Sequence, residues 1–397
     1  MIPLALGLCA LADDGERADS GDPPGLRTSR ADGRFVNSAG FVHAQLKQHP
    51  PKLAFHPKMT AADFAAWQEA LRLKLRELGR FPEIPPQPPP RHLGTVQRDG
   101  YEVQRWEAYP EPLGVVPFLV LVPTGVSAAT PRPAVLCLPG SAYTKESLAG
   151  EPELGGGPPT GVPGHDNMAQ WYAKAGMVAV AVDNPGIGET GDPLVGPDEI
   201  SLYLVWAGRS YEMLSVSQKL SILAWMKHQA FISPGQVAVS GHSLGAKPAL
   251  ILGLLDPSLS AVVWNDSVVS WRERAVVCDL GAPFVNRQFI PGFIEWLDYP
   301  DLMAAMAPRP LLICEGGRTR DIERVREAYR LVGAEANLQV AYYPKYATPD
   351  RRPLDDGDMP EGLSLEEYLR YANIDPPGHW FKEEVAVPWL SRVFGVR

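Results

Sequence analysis

Apolar residues recur along this chain with two different periods. From Thr60, large apolar side chains fall at Phe64, Trp67, Leu71, Leu75 and Leu78, the three- and four-residue spacing of one helical face. Thr60 with Asp63 three residues on is a capping box, and Gly79 is a stop signal. From residue 101 the pattern changes to short apolar, strand-like runs at 101–109, 115–122, 134–138, 178–182, 237–239, 261–264, 311–314 and 338–342, most of them separated by helical patterns. Runs apolar at every position predict strands buried on both faces, so the chain predicts an α/β architecture with a mostly parallel eight-stranded sheet covered by helices on both sides. The first two runs read as an opening antiparallel pair. In such sheets, sites collect beyond the carboxyl ends of the strands.

This pattern divides the chain. Residues 1–34 read as a mobile leader or an atypical export segment, 35–99 as a helical extension with the Pro-rich connector 82–90, and 100–397 as the main domain. Residues 267–299 and 345–378 are longer than ordinary connections and read as lid-like insertions that shape a pocket.

A length of 397 residues with 45% hydrophobic content is enough for a large core. The net charge of -9 argues against nucleic acid or an anionic membrane surface as a partner, because phosphate neutralisation needs clustered Lys and Arg. Cys137 and Cys314 lie inside strand runs, where packing is the expected fate. The histidines show no H-E-x-x-H or Cys/His spacing, so neither a metal nor another cofactor is expected. The apolar start at residues 2–12 is similar to a signal-peptide core but lacks a basic flank, which leaves cytoplasmic and exported locations both open. Oligomeric state is equally open.

The chemistry lies at the strand exits. Val237-Ala238-Val239-Ser240-Gly241-His242-Ser243-Leu244-Gly245-Ala246-Lys247 reads as strand, sharp turn and helix around a G-x-S-x-G pentapeptide, a nucleophile elbow. A serine hydroxyl needs an adjacent base, and the base needs an acid that fixes its tautomer. His379, in Gly378-His379-Trp380 after the last strand, supplies the base. For the acid, Asp266 follows the strand after the elbow, Asp321 lies in the loop after 311–314, and Glu315 stands at that strand's end. All three remain open. The oxyanion hole is expected from the backbone N–H of Leu244 and one from Ser141 or Ala142 in the loop after residue 138.

Taken together, Ala134-Val135-Leu136-Cys137-Leu138-Pro139-Gly140 with Lys145, Gly241-His242-Ser243-Leu244-Gly245, Ala307-Pro308-Arg309-Pro310-Leu311-Leu312-Ile313 and Gly378-His379-Trp380-Phe381 running into Pro388-Trp389-Leu390 resemble the α/β-hydrolase superfamily. The likeness is to its acetylxylan-esterase-like and dienelactone-hydrolase-like carbohydrate esterase branch, over residues 100–395, with some resemblance to glucuronoyl esterases. It implies an α/β-hydrolase fold and a serine carboxylester hydrolase that works through an acyl-enzyme and deacetylates a carbohydrate or similar small ester. The partner is then a small-molecule or polysaccharide ester. Pro139 stands where relatives often carry a histidine, and Leu244 where glucuronoyl esterases carry arginine. Lys247 matches a substrate-contacting lysine of glucuronoyl esterases, and Tyr143 and Trp380 join it as expected substrate-binding residues. Two other readings stay open: a glucuronoyl esterase, and a catalytically silent carbohydrate-binding or interaction module on the same fold.

Overall fold

Among the described residues, nine strands form one sheet in the order β1-β2-β3-β5-β4-β6-β7-β8-β9. They are β1 (Arg91–Arg98), β2 (Tyr101–Ala108), β3 (Val116–Pro123), β4 (Arg132–Leu138), β5 (Val178–Val182), β6 (Ile232–His242), β7 (Ala261–Asn265), β8 (Leu311–Ile313) and β9 (Leu338–Val340). The computed structural model describes residues 26–141, 143–151, 154, 166–282 and 284–396. Most of the expected leader, including the signal-like residues 2–12, lies outside these. No helix among the described residues is long and apolar enough to cross a membrane.

The pairs β1-β2, β2-β3 and β3-β5 are antiparallel, and all pairs from β5-β4 to β8-β9 are parallel. The sheet is the mostly parallel one expected, with nine strands instead of eight. The additional strand is β1, whose sequence Arg-His-Leu-Gly-Thr-Val-Gln-Arg has no buried position. It joins through backbone pairing at the sheet edge, so no hydrophobic alternation marks it, and residues 91–98 had read as part of the extension.

Successive strand residues feed opposite cores, as a period of two requires. Val120, Leu136, Val180, Val239, Val262 and Ile313 pack into one core. Leu119, Leu121, Val135, Cys137, Ala181, Ala238, Val263 and Leu312 face the other, where Tyr172, Phe381 and Leu390 meet them. Most of these side chains are wholly buried, each stabilising the fold by roughly 1.5–3 kcal/mol where it is as large as Val or Leu.

The helix Ala61–Gly79 carries the expected capping box and buries Phe64, Trp67, Leu71 and Leu75 in the first core. A helix at Ser38–Gln48 was not foreseen; it is held through His43 Nε2, 2.8 Å from the carbonyl of Val276. The two long insertions pack on each other. Val277, Cys278 and Ala282 from one and Met359, Leu363, Tyr368 and Ala372 from the other form a separate small core. Asp355 accepts from Thr319 N at 2.8 Å and Asn373 Nδ2 at 3.1 Å, joining the second insertion to the segment after β8.

Candidate active site

β6 ends at His242, and the chain turns so tightly that Ser243 adopts φ +52°. This left-handed conformation costs a residue with a side chain on the order of 1–3 kcal/mol and persists where the surroundings enforce it. Two glycines make the turn possible. A Cβ on Gly241 would lie 2.1 Å from the carbonyl oxygen of Gly245, and one on Gly245 would lie 2.4 Å from that of Leu138. The elbow therefore presses against the exit of β4. Ser243 stays half-buried at the top, and the helix Ala246–Leu255, every residue of it buried, anchors the turn from below.

His379 stands beside this elbow. Its ring centroid is 4.7 Å from that of His242, the residue preceding Ser243. Its Nδ1 lies 2.7 Å from Glu315 Oε2. Glu315 is fully buried, and four groups converge on its carboxylate: His379, the Tyr343 hydroxyl at 2.5 Å on Oε2, and on Oε1 the Lys382 ammonium at 3.0 Å and Asn265 Nδ2 at 3.3 Å. Burial alone pushes this carboxyl up, but His379, its hydrogen bond, Lys382 and His242 outweigh burial and bring it to about 2. For His379, burial disfavours the cation, yet the Glu315 charge and hydrogen bond win and raise its affinity for a proton above the ordinary histidine value. An ionised acid thus orients the imidazole, with Nδ1 toward the carboxylate and Nε2 left for a substrate-side proton.

The other two candidate acids, Asp266 and Asp321, have different partners. Asp266 forms an ion pair with Lys247, whose ammonium also donates to the carbonyl of Ser243 at 3.1 Å. Asp321 sits in the first turn of the helix Thr319–Leu331 and pairs with Arg320 at 3.1 Å. Among the described residues, no hydrogen bond or ion pair joins either to His379. The reason is local. Val268 N donates to Gly316 O at 2.7 Å, pinning the chain beyond β8, so Glu315 faces His379 while Asp321 is carried into the next helix. Asp266 is captured by the cation one helical turn beyond the serine.

The loop after β4 reaches the same place. Asn184 Nδ2 donates to the Pro139 carbonyl at 2.9 Å, and Asp183 accepts from Lys145 N at 2.6 Å and Lys145 Nζ at 2.9 Å. Burial works against the Lys145 cation, but Asp183 and Glu146 hold its proton affinity above the usual lysine value. The exit of β5 thereby holds this loop at Pro139 and at Lys145. Ser141 is exposed in this loop; Ala142 lies outside the described residues. Leu244 is buried in the single turn Ser243–Gly245 that carries its N–H at the elbow. Tyr143 has its ring centroid 6.3 Å from that of His242, and Trp380 follows His379 with its carbonyl accepting from Asn265 Nδ2 at 3.0 Å.

Sequence reasoning missed Tyr343, Lys382 and Asn265 as partners of the acid. Asn265, immediately before Asp266 at a strand exit, was the one visible signal. His242, Glu315 and His379 bring ligand-type atoms within 4.8 Å of one another. The Lys382 ammonium on Glu315 opposes a second cation there, so the cluster suits proton handling better than metal binding.

The model of the Abhydrolase family matches residues 21–392 of the chain. A crystal structure from Bacteroides fragilis, of a protein provisionally assigned as an acetyl xylan esterase, is 39% identical, superposes with a TM-score of 0.86 and covers 93% of this chain and 98% of its own. A methylesterase is 16% identical over 90% of this chain and 72% of its own, with a TM-score of 0.57. A glucuronoyl esterase from Solibacter usitatus is 14% identical over 82% of this chain and 97% of its own, with a TM-score of 0.51. These last two share the fold. No curated protein matches the chain.

Proposed function

The chain belongs to the Abhydrolase family, and from that premise we propose that it is a serine carboxylic ester hydrolase working through an acyl-enzyme. His379 takes the proton of Ser243 as the hydroxyl attacks the ester carbonyl. The N–H groups of Leu244 and of Ser141 or Ala142 receive the oxyanion, and the alcohol leaves with the proton held by His379. Water, deprotonated by the same imidazole, then releases the acid and restores Ser243. Glu315 stays ionised throughout, holding the imidazole and stabilising its cation. The observation that carries this reading is the 2.7 Å contact between Glu315 and His379 beside a serine held at φ +52°.

The substrate is an acetylated carbohydrate or similar small ester. The likeness to the Bacteroides fragilis protein supports this class. A uronate substrate is less well supported, because the Lys247 ammonium that would meet its carboxylate is already neutralised by Asp266. Tyr143 and Trp380 flank the serine and histidine loops and are the aromatic surfaces proposed to meet a sugar ring.

Incubation with p-nitrophenyl acetate and with a fluorophosphonate probe tests the mechanism. Turnover together with labelling at Ser243, both lost in Ser243→Ala, is expected. Neither turnover nor labelling in the wild-type protein would leave the silent binding module as the better reading. Acetylated xylan, methyl glucuronate esters and simple acyl esters assayed side by side then rank the substrates, with acetyl esters expected first.

A further inference from the structure

Asp166 and His242 have no part in the proton transfers above, yet they touch both halves of the site. His242 is the last residue of β6 and is 2% exposed. Its Nδ1 lies 3.1 Å from Asp166 Oδ2. Asp166, 1% exposed, uses Oδ1 to accept the backbone N–H of Phe381 at 3.1 Å. Phe381 is two residues beyond His379. One carboxylate thus ties the strand that presents the nucleophile to the loop that presents the base.

The His242 ring is also a wall shared by the other parts of the site. It is tilted 48° against the His379 ring at 4.7 Å between centroids. On another side passes the loop after β4, so closely that a Cβ on Gly140 would lie 3.0 Å from His242 Nδ1 and 3.4 Å from Ser243 Cβ. A buried carboxylate and imidazole are expensive for a chain that needs only packing, since apolar residues would fill the same space without desolvation cost. His242 Nε2 is even buried without a hydrogen-bond partner among the described residues, a cost that an apolar side chain would not carry. The pair does something that packing alone does not. His242 is not the base itself, because it is closed off from solvent while the His379 side chain is 29% exposed and open to substrate.

Building on the serine esterase reading, we propose that Asp166 and His242 form a second carboxylate–imidazole pair that positions His379 against Ser243. Asp166 fixes the ring of His242 through Nδ1 and the histidine loop through Phe381 N. The fixed ring then limits how far the His379 imidazole can lean away from the serine. Both are positioning residues and neither touches substrate. A displacement of about 1 Å in such a site costs up to roughly 100-fold in rate, so the pair controls turnover and leaves substrate affinity nearly alone.

The test compares Asp166→Ala, Asp166→Asn and His242→Gln in the full chain, each first shown to unfold cooperatively near the wild-type temperature and then assayed with p-nitrophenyl acetate. Asp166→Ala and His242→Gln are expected to lower kcat roughly 10- to 100-fold with KM within about threefold of wild type. Asp166→Asn keeps an acceptor for Phe381 N and loses less. Because the two residues act as a unit, Asp166→Ala with His242→Gln costs no more than about threefold beyond the worse single variant. Should Asp166→Ala fail to fold, Asp166→Asn and His242→Gln carry the same comparison. Folded variants that retain kcat within about twofold, losses that multiply in the double variant, or a change confined to KM would each overturn the proposal. Failure of the esterase reading itself looks different: the wild-type protein then shows neither turnover nor Ser243 labelling.

Discussion

The exits of β7 and β8 lie side by side, and each delivers an acid to the same end of the sheet. The register that pairs Trp264 with Ile313 brings Asp266 and Glu315 to the same height. Asp266 meets Lys247, and Glu315 meets His379. Asp266 has the shorter arm and a lysine one helical turn beyond the serine to capture it. Glu315 has one more methylene, full burial and three further donors, from Tyr343, Lys382 and Asn265, that favour its ionised form. Which strand-end carboxylate serves the imidazole is therefore decided by the cation within reach and by the length of the arm.

The largest separation between the two exits is expected in turnover. Glu315→Gln leaves the shape nearly unchanged but removes the charge that fixes the His379 tautomer, so kcat falls by roughly 10³- to 10⁴-fold on p-nitrophenyl acetate. Asp266→Asn, measured in parallel, stays within about tenfold because the histidine keeps its partner. Equal losses in the two variants would erase the distinction.

A smaller effect sharpens it from the other side of the acid. Tyr343→Phe deletes one donor to Glu315, with an expected cost of roughly tenfold in kcat/KM, the size of one hydrogen bond to a charged group. Freed of that donor, the carboxylate attracts the imidazole proton more strongly, so the acid limb of the pH–rate profile moves upward.

The pH profile separates the exits further. His379 has its proton affinity raised by Glu315, so its neutral, basic form accumulates only above the ordinary histidine value of 6.5, and wild-type kcat/KM rises through a limb on that higher side. Glu315→Gln moves the limb down because the negative charge is gone. Asp266→Asn moves it down only slightly, because the Asp266 charge ranks behind both effects of Glu315 on that histidine. Stability follows the same acid with its own sign. Glu315 is held near 2 against an ordinary value of 4.5, so its contribution is present above pH 4.5 and is lost as pH falls toward 2. Thermal melts across that window are expected to decline in the wild type and to flatten in Glu315→Gln.

The smallest effect concerns the β7 exit alone. Lys247→Met removes the cation from Asp266, which keeps only the Ser267 N–H at 2.7 Å among the described residues, and lowers unfolding free energy by about 1–3 kcal/mol in urea titrations, while Lys247→Met with Asp266→Asn recovers part of the loss. A double variant as unstable as the sum of the singles would mean that the two side chains act independently.

Much of this was legible in the sequence. The central strands β3 to β8 announce themselves as continuous apolar runs because both their faces are mostly buried, β2 and β9 read as shorter strand-like stretches with polar positions, and the elbow is legible because only glycines tolerate the contacts at 241 and 245. β1 was not, because an edge strand with no buried side chain carries no hydrophobic signal and is specified by its pairing with β2. The acid was legible only as a set of three. Asp266, Asp321 and Glu315 all stand at or just beyond strand exits, but the outcome rests on long-range events that no local spacing encodes: the pinning of Gly316 by Val268, the Lys247–Asp266 pair, and the arrival of Tyr343 and Lys382 from distant segments. Asp166 and His242 were invisible for the same reason, since their meeting spans 76 positions of sequence.

The most direct measurement of the central claim is the downfield proton spectrum of the His379 Nδ1–H, recorded for the wild type, Glu315→Gln, Asp266→Asn and Asp321→Asn at a pH below the acid limb. A strongly deshielded resonance present in the wild type and in both aspartate variants, and absent in Glu315→Gln alone, is the predicted result. A resonance that survives Glu315→Gln and disappears in Asp266→Asn or Asp321→Asn would contradict the assignment of Glu315 as the acid that holds His379.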